Sequence, residues 1–205
     1  MSNFLKQKIY SREAKTATKD VKPKIMIVCE GEKTEPYYFE AFRVSSLDVR
    51  IDGAGFNTLS LVQKAINLKK KAIEDKEPFD HVWVVMDRDS FPACNFNNCL
   101  QLASENEIEV AYSNEAFEIW YILHFKYQTT GMQRGSYYKI LSKLLGERYK
   151  KDDKNMYERI RDKQQDAIRN AKRLLNEYGP THNPEKDNPC TTVFKLVELL
   201  NQYLD

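Results

Sequence analysis

Two acidic groups stand where apolar runs stop. Lys24-Ile25-Met26-Ile27-Val28-Cys29 passes into Glu30-Gly31, and His81-Val82-Trp83-Val84-Val85-Met86 runs straight into Asp87-Arg88-Asp89. Each run has the length and composition of a strand buried on both faces of a parallel sheet. An acid just past such a strand sits at the carboxyl edge of the sheet, where α/β proteins place their chemistry. Asp87 and Asp89 are two residues apart, so at the end of a strand their carboxylates fall on the same side. Like charges that close call for a cation, and hard oxygen ligands select Mg²⁺ or Mn²⁺. If the two strands are neighbours, Glu30 joins the pair, and Glu30, Asp87 and Asp89 form a metal set. A set of that kind suits metal-assisted phosphoryl chemistry. Thr34-Glu35-Pro36 marks a helix start, and Glu35 offers a further carboxylate; its other reading is an acid resting on the helix dipole. The Asp-x-Asp spacing alone is weak, since glycosyltransferases and haloacid-dehalogenase phosphatases also use one.

The elements that must hold these acids read in order along the chain. Strands are expected at Ile25 to Cys29, Asp48 to Asp52, His81 to Met86 and Ile108 to Tyr112. Helices are expected at Thr34 to Arg43, Thr58 to Asp75, Phe96 to Glu105 and, capped by Ser113-Asn114, Glu115 to Phe125. This alternation predicts a parallel four-stranded sheet with right-handed crossovers. Gly53-Ala54-Gly55 reads as a turn, with no Lys-Ser/Thr to make it a phosphate loop. After Phe125 the strands stop. Helices are predicted over Tyr137 to Lys150, over Asn155 to Tyr178 as one long amphipathic element, and from Thr191, its cap, towards the end of the chain. The expected division is a basic arm at residues 1–23, a catalytic α/β unit at 24–125, and a helical extension at 126–205 packed on the same core.

Composition narrows the function. The 205 residues carry a net charge of only +2, yet residues 25–125 sum to −8 and residues 126–178 to +7. An acidic body suits metal, and a basic helical segment suits a polyanion or, alternatively, a solvated helix face. Lys139, Arg161, Arg169 and Lys172 are its candidate phosphate contacts; Lys33 and Arg88, inside the acidic motifs, either meet phosphate or face solvent. The sequence has no apolar run near the ~20 residues of a membrane span. The lysine-rich start lacks the apolar stretch of a secretory signal, and the four cysteines lack zinc spacing. A cytoplasmic protein with reduced thiols and no membrane association is therefore expected.

The fuller string is more specific. Cys29-Glu30-Gly31-Glu32-Lys33-Thr34-Glu35-Pro36-x-Tyr38-Phe39, then Phe79-Asp80-x-Val82-Trp83 leading to Asp87-x-Asp89, then Ser113-Asn114-x-x-Phe117-Glu118-x-Trp120 and His124-Phe125, resembles the RloB family. A looser likeness runs on to Asn188-Pro189-x-Thr191-Thr192-Val193. That family comprises Toprim-related proteins of bacterial restriction and abortive-infection loci. The resemblance implies a Toprim-like, Rossmann-like fold and a Mg²⁺- or Mn²⁺-dependent nuclease of anti-phage defence, acting on DNA or RNA, tRNA among the options. It makes Glu30, Asp87 and Asp89 the Toprim acids, aligns Glu35 with the second acid of the OLD-type first motif, and aligns Asn114 and Glu118 with the family's later motif. It leaves no assignable catalytic lysine. His124 reads either as a proton carrier or as a packed core residue. RloB-like proteins resemble the detached Toprim half of OLD-type proteins, and this sequence has no G-x-x-x-x-G-K-[ST] loop. Any ATP-driven control is thus expected from a separate ABC-type, OLD-like ATPase chain. The alternative is a module that binds metal and nucleic acid without cutting.

Overall fold

The structure is a computed structural model and describes residues 23–51, 58–88 and 93–204. The arm, the Gly53-Ala54-Gly55 turn and Asp89 lie outside the described residues, apart from Pro23 at the arm's end.

Strands β1 (Ile25–Cys29), β2 (Leu47–Ile51), β3 (His81–Asp87) and β4 (Glu109–Asn114) are parallel, in the order β2-β1-β3-β4. The expected count of four strands is corrected to five among the described residues. Cys190–Thr191 forms β5, which pairs antiparallel with β4 through Ser113↔Thr191 and Asn114↔Cys190. Two residues are too short for any period to show in the sequence. The strand is held instead by side chains: the Ser113 and Thr191 hydroxyls meet at 2.9 Å, and Thr192 Oγ1 accepts the Tyr112 N–H at 2.9 Å. Every residue of β1 is fully buried, as its apolar run requires of an interior strand.

Helices α1 (Thr34–Glu40), α2 (Thr58–Glu74) and α3 (Ala93–Glu105) connect the parallel strands, and α4 (Glu118–Leu123) follows β4. Next come α5 (Arg134–Leu145), α6 (Met156–Ile160), a 3₁₀ turn (Arg161–Lys163), α7 (Gln164–Tyr178) and α8 (Val193–Asn201). Three expectations shift. The fourth helix begins at Glu118, because Ser113 and Asn114 continue β4 rather than cap a helix. Helix α5 starts three residues earlier than expected and stops at Gly146, whose φ of +74° is the left-handed conformation of a helix terminus. The long helix is broken at Arg161–Lys163, so that α6 packs on α1 while α7 packs on α4.

One face of the sheet carries an apolar cluster that spans the chain, from Ile25 and Trp83 to Ile168 and Leu196. Its centre is aromatic. The Tyr38 ring meets Phe39 at 5.3 Å, Phe117 at 5.7 Å, Tyr121 at 5.7 Å and Tyr157 at 5.4 Å between centroids. Such pairs contribute ~0.5–1.5 kcal/mol each beyond area burial. They clamp α1 against α4, and that clamp sets the site.

Candidate functional site

The register of the sheet brings the first two acids together. Cys29 lies beside Val85, and the next residue, Glu30, donates its backbone N–H to the Val85 carbonyl at 3.0 Å. The Glu30 carboxylate then turns across the strand end: its Oε2 accepts the Asp87 N–H at 3.1 Å. Asp87 itself is buried, 5% exposed. The adjacency of β1 and β3, on which the metal set was conditional, is therefore present, and Glu30 and Asp87 share one site.

The aromatic clamp adds the next two acids. Glu35 precedes Tyr38 by one helical turn on α1, and Glu118 precedes Tyr121 by one turn on α4. Since Tyr38 and Tyr121 touch, Glu35 and Glu118 come within electrostatic reach of one another, buried at 6% and 2% exposure. The Tyr121 hydroxyl locks the arrangement by donating to the Thr34 carbonyl at 3.2 Å. Glu35 folds back over Gly31: a Cβ on that glycine would sit 2.2 Å from Glu35 Oε2. Gly31 is thus required as the floor under a carboxylate.

Burial raises the pKa of two of these carboxylates, and the neighbouring acids add to it. Burial pushes Glu35 up to about 7, with the charges of Glu118 and Glu30 adding to it; its backbone hydrogen bond and the Lys151 ammonium pull the other way. Burial also raises Asp87 well above the usual carboxylate range, assisted by Glu35, Glu118 and Glu30, with Arg134 opposing. The mutual influence of Glu30, Glu35, Asp87 and Glu118 marks one electrostatic unit.

Three residues of the unit were invisible in the sequence. Arg134, at the first turn of α5, donates to Asp87 Oδ2 at 2.6 Å. Tyr149, buried in the segment after α5, donates its hydroxyl to Glu118 Oε1 at 3.1 Å. The Lys151 backbone carbonyl accepts from Thr34 Oγ1 at 3.4 Å, which holds that lysine beside the start of α1. Arg134 and Lys151 are the cations whose charge acts on Asp87 and Glu35. No spacing or periodicity separates them from the other bases of the +7 segment.

Asp87 Oδ1 is buried and has no hydrogen-bond partner. Among the described residues no three His, Cys, Asp or Glu side chains are grouped to hold a metal ion as they stand. Asp89, the remaining acid of the expected set, lies outside the described residues.

The other expected residues are elsewhere or bonded otherwise. Lys33 is exposed beside the first turn of α1, and Lys139 is exposed on α5. Arg88 ties the 184–185 segment to the sheet, its Nε donating to the Glu185 carbonyl at 2.9 Å. Arg161 pairs with Glu158 at 2.9 Å, Arg169 with Asp166, and Lys172 with Glu198 at 2.5 Å. Asn114 donates to the Pro184 carbonyl at 3.1 Å. His124 is a core residue: its Nδ1 lies 2.9 Å from the Trp120 carbonyl, and burial lowers its pKa to about 4. Cys29, Cys99 and Cys190 are buried free thiols. Among the described residues no helix is long and apolar enough to cross a membrane.

Fold and site together define an α/β protein with a buried acidic cluster at the carboxyl edge of a mostly parallel sheet. A family model described as RloB-like protein matches residues 25–200, and the chain belongs to that family. No curated protein and no solved structure gives a match.

Proposed function

We propose that this protein is a divalent-cation-dependent nuclease of Toprim type, hydrolysing phosphodiester bonds of DNA or RNA as a cytoplasmic effector of bacterial anti-phage defence. The observation that carries the reading is the Asp87 carboxylate: buried, under the charge of Glu30, Glu35 and Glu118, held by Arg134 on Oδ2, and without a hydrogen-bond partner at Oδ1. An orphaned carboxylate oxygen in such surroundings is costly unless a proton or a cation completes it. Glu30, Asp87 and Asp89 are the residues that would hold Mg²⁺ or Mn²⁺. A cation there supplies Lewis-acid polarisation of a phosphoryl oxygen.

The chain's own residues divide the remaining work. Glu35, with a pKa near neutrality, is suited to taking a proton from an attacking water. Glu118 raises the basicity of Glu35 and is itself fixed by the Tyr149 hydroxyl. Arg134 and Lys151 set positive charge on the rim, where a phosphate must enter against four carboxylates. The resemblance to one half of OLD-type proteins supports an ABC-type ATPase as partner and restraint.

Incubation of the purified chain with plasmid, single-stranded DNA and tRNA tests this reading, with and without Mn²⁺ and with a candidate ABC-type ATPase partner. Cleavage is expected only with metal, weakly for the isolated chain and strongly with the ATPase, and is lost in Asp87→Asn. Cleavage in EDTA, or an active Asp87→Asn protein, overturns it.

A further inference from the structure

We propose that the segment from Gly146 to Asn155 is the strand-binding rail of this site, built for the phosphates of a single-stranded nucleic acid; the inference rests on the nuclease reading and names where its substrate lies. The segment is tied to the site at two points, one at an acid and one at the start of α1. Tyr149 donates to Glu118 at 3.1 Å, and the Lys151 carbonyl accepts from Thr34 at 3.4 Å. A third bond, from the Tyr149 N–H to Ser142 Oγ at 2.9 Å, holds it to α5. The rail is therefore a fixed rim of the carboxylate site.

Part of its acidic charge is taken up by a neighbouring helix. Arg148, Lys150, Lys151 and Lys154 are the bases of the segment, and Glu147, Asp152 and Asp153 its acids. Arg159, on α6, takes up two of those acids, with 2.6 Å to Glu147 and 2.8 Å to Asp153. Among the described residues neither Arg148 nor Lys150 has an ion pair. Two ammonium groups lie over aromatic rings, Lys151 at 5.5 Å from the Tyr138 centroid and Lys154 at 5.1 Å from that of Tyr37. These rings belong to α5 and α1, the helices that carry Arg134 and Glu35. Arg148, Lys150, Lys154 and Arg159 line an open depression of about 760 Å³ here, together with Glu147, Asp152 and Asp153.

A polyanion needs this arrangement. The carboxylates repel phosphate, so attraction has to come from cations flanking them, whose neutralisation releases counterions. Bases without an ion pair, beside the half-buried rings of Tyr37 and Tyr138, suit an unpaired strand, because every nucleobase offers a face for stacking. The bases on and beside α7 do not match this description, since Arg161, Arg169 and Lys172 are each already paired with an acid.

The test is binding of fluorescein-labelled single-stranded DNA, single-stranded RNA and duplex DNA in EDTA, followed by anisotropy across a salt series. R148E/K150E/K154E is expected to weaken single-strand binding about tenfold or more and to flatten the salt slope by about 2, from ~0.7 per lost phosphate contact. R161E/R169E/K172E is expected to change it less than twofold, and duplex to bind more weakly than either single strand. An equal or larger loss from the α7 substitutions, or duplex preferred over single strands, overturns the proposal. The milder R148A/K150A carries the same prediction at reduced size should the triple variant not fold. Mn²⁺-dependent hydrolysis of bis(p-nitrophenyl) phosphate separates the rail from the chemistry. It should persist in R148E/K150E/K154E and vanish in Asp87→Asn. Loss in the rail variant would show that these bases act on the acids instead of the strand, and no hydrolysis by any form would count against the nuclease reading while the binding arms still decide the rail.

Discussion

The acids at the carboxyl edge of the sheet and the bases along α7 are both dense groups of charge, and they are built in opposite ways. Glu35, Asp87 and Glu118 are nearly inaccessible, repel one another, and leave one carboxylate oxygen without a partner. Arg161, Arg169 and Lys172 stand in water, each beside an acid. The second pattern is what a helix face does to stay soluble, and exposed pairs of that kind contribute ~0–1 kcal/mol. The first pattern lowers stability and persists in a fold only if something else is gained from it. Buried, incomplete charge is therefore the better guide to function here than charge density.

Five outcomes would break or sharpen that contrast. The largest concerns Asp87→Asn, expected to lower metal-dependent cleavage by about 10³-fold or more, as loss of a central ligand does. Next is Arg134, the counter-charge of Asp87. Breaking a buried ion pair from one side costs on the order of 3 kcal/mol, so Arg134→Ala should unfold at clearly lower denaturant. The pH response follows from Glu35. Its folded pKa is raised, to about 7 from an ordinary value of 4.5. The folded state therefore holds a proton that the unfolded chain releases earlier. Stability is greatest below about pH 4.5 for this group and falls as pH rises through about 7, by on the order of 3 kcal/mol in the absence of metal. Glu35→Gln should flatten this slope in a urea series between pH 5 and 8.

Smaller still is Gly31→Ala. The new methyl meets the end of a flexible side chain, so the fold should lose no more than about 1 kcal/mol, while displacement of the Glu35 carboxylate slows cleavage ~10²-fold. A stability loss without an activity loss would mean that the Glu35 position is incidental. The smallest effect belongs to the exposed bases: Arg169→Gln should change stability by less than about 0.5 kcal/mol. If it rivals Arg134→Ala, the distinction between the two groups of charge fails.

Much of the acid set was legible before any coordinates. Glu30 and Asp87 could be read because strand, acid and turn are contiguous, and Glu35 because Thr34-Glu35-Pro36 announces a helix. Their meeting depended on one topological fact, the pairing of β1 with β3, which a list of elements suggests but does not force. Glu118 came from family resemblance alone; its approach to Glu35 depends on the ring contact between Tyr38 and Tyr121, a tertiary event with no local signal. Arg134, Tyr149 and Lys151 were missed for the same reason. They reach the acids from a region more than forty residues beyond Asp87, out of segments whose composition is ordinary. The fifth strand escaped because two residues carry no periodicity; it exists through the hydroxyls of Thr191 and Thr192. The long helix over 155–178 was read too simply, since an unbroken polar-apolar period does not reveal that its two halves pack on different partners.

The central claim is that the buried carboxylates form a seat for a divalent cation. Calorimetric titration of Mn²⁺ into the metal-free protein at pH 7.5, paired with thermal unfolding at the same metal concentrations, tests it most directly. The account predicts saturable binding to the wild-type chain, a melting temperature that climbs with Mn²⁺ as linkage requires, and neither effect in Asp87→Asn. A wild-type protein whose melting temperature is indifferent to millimolar Mn²⁺, or an Asp87→Asn protein that binds it equally well, would contradict it.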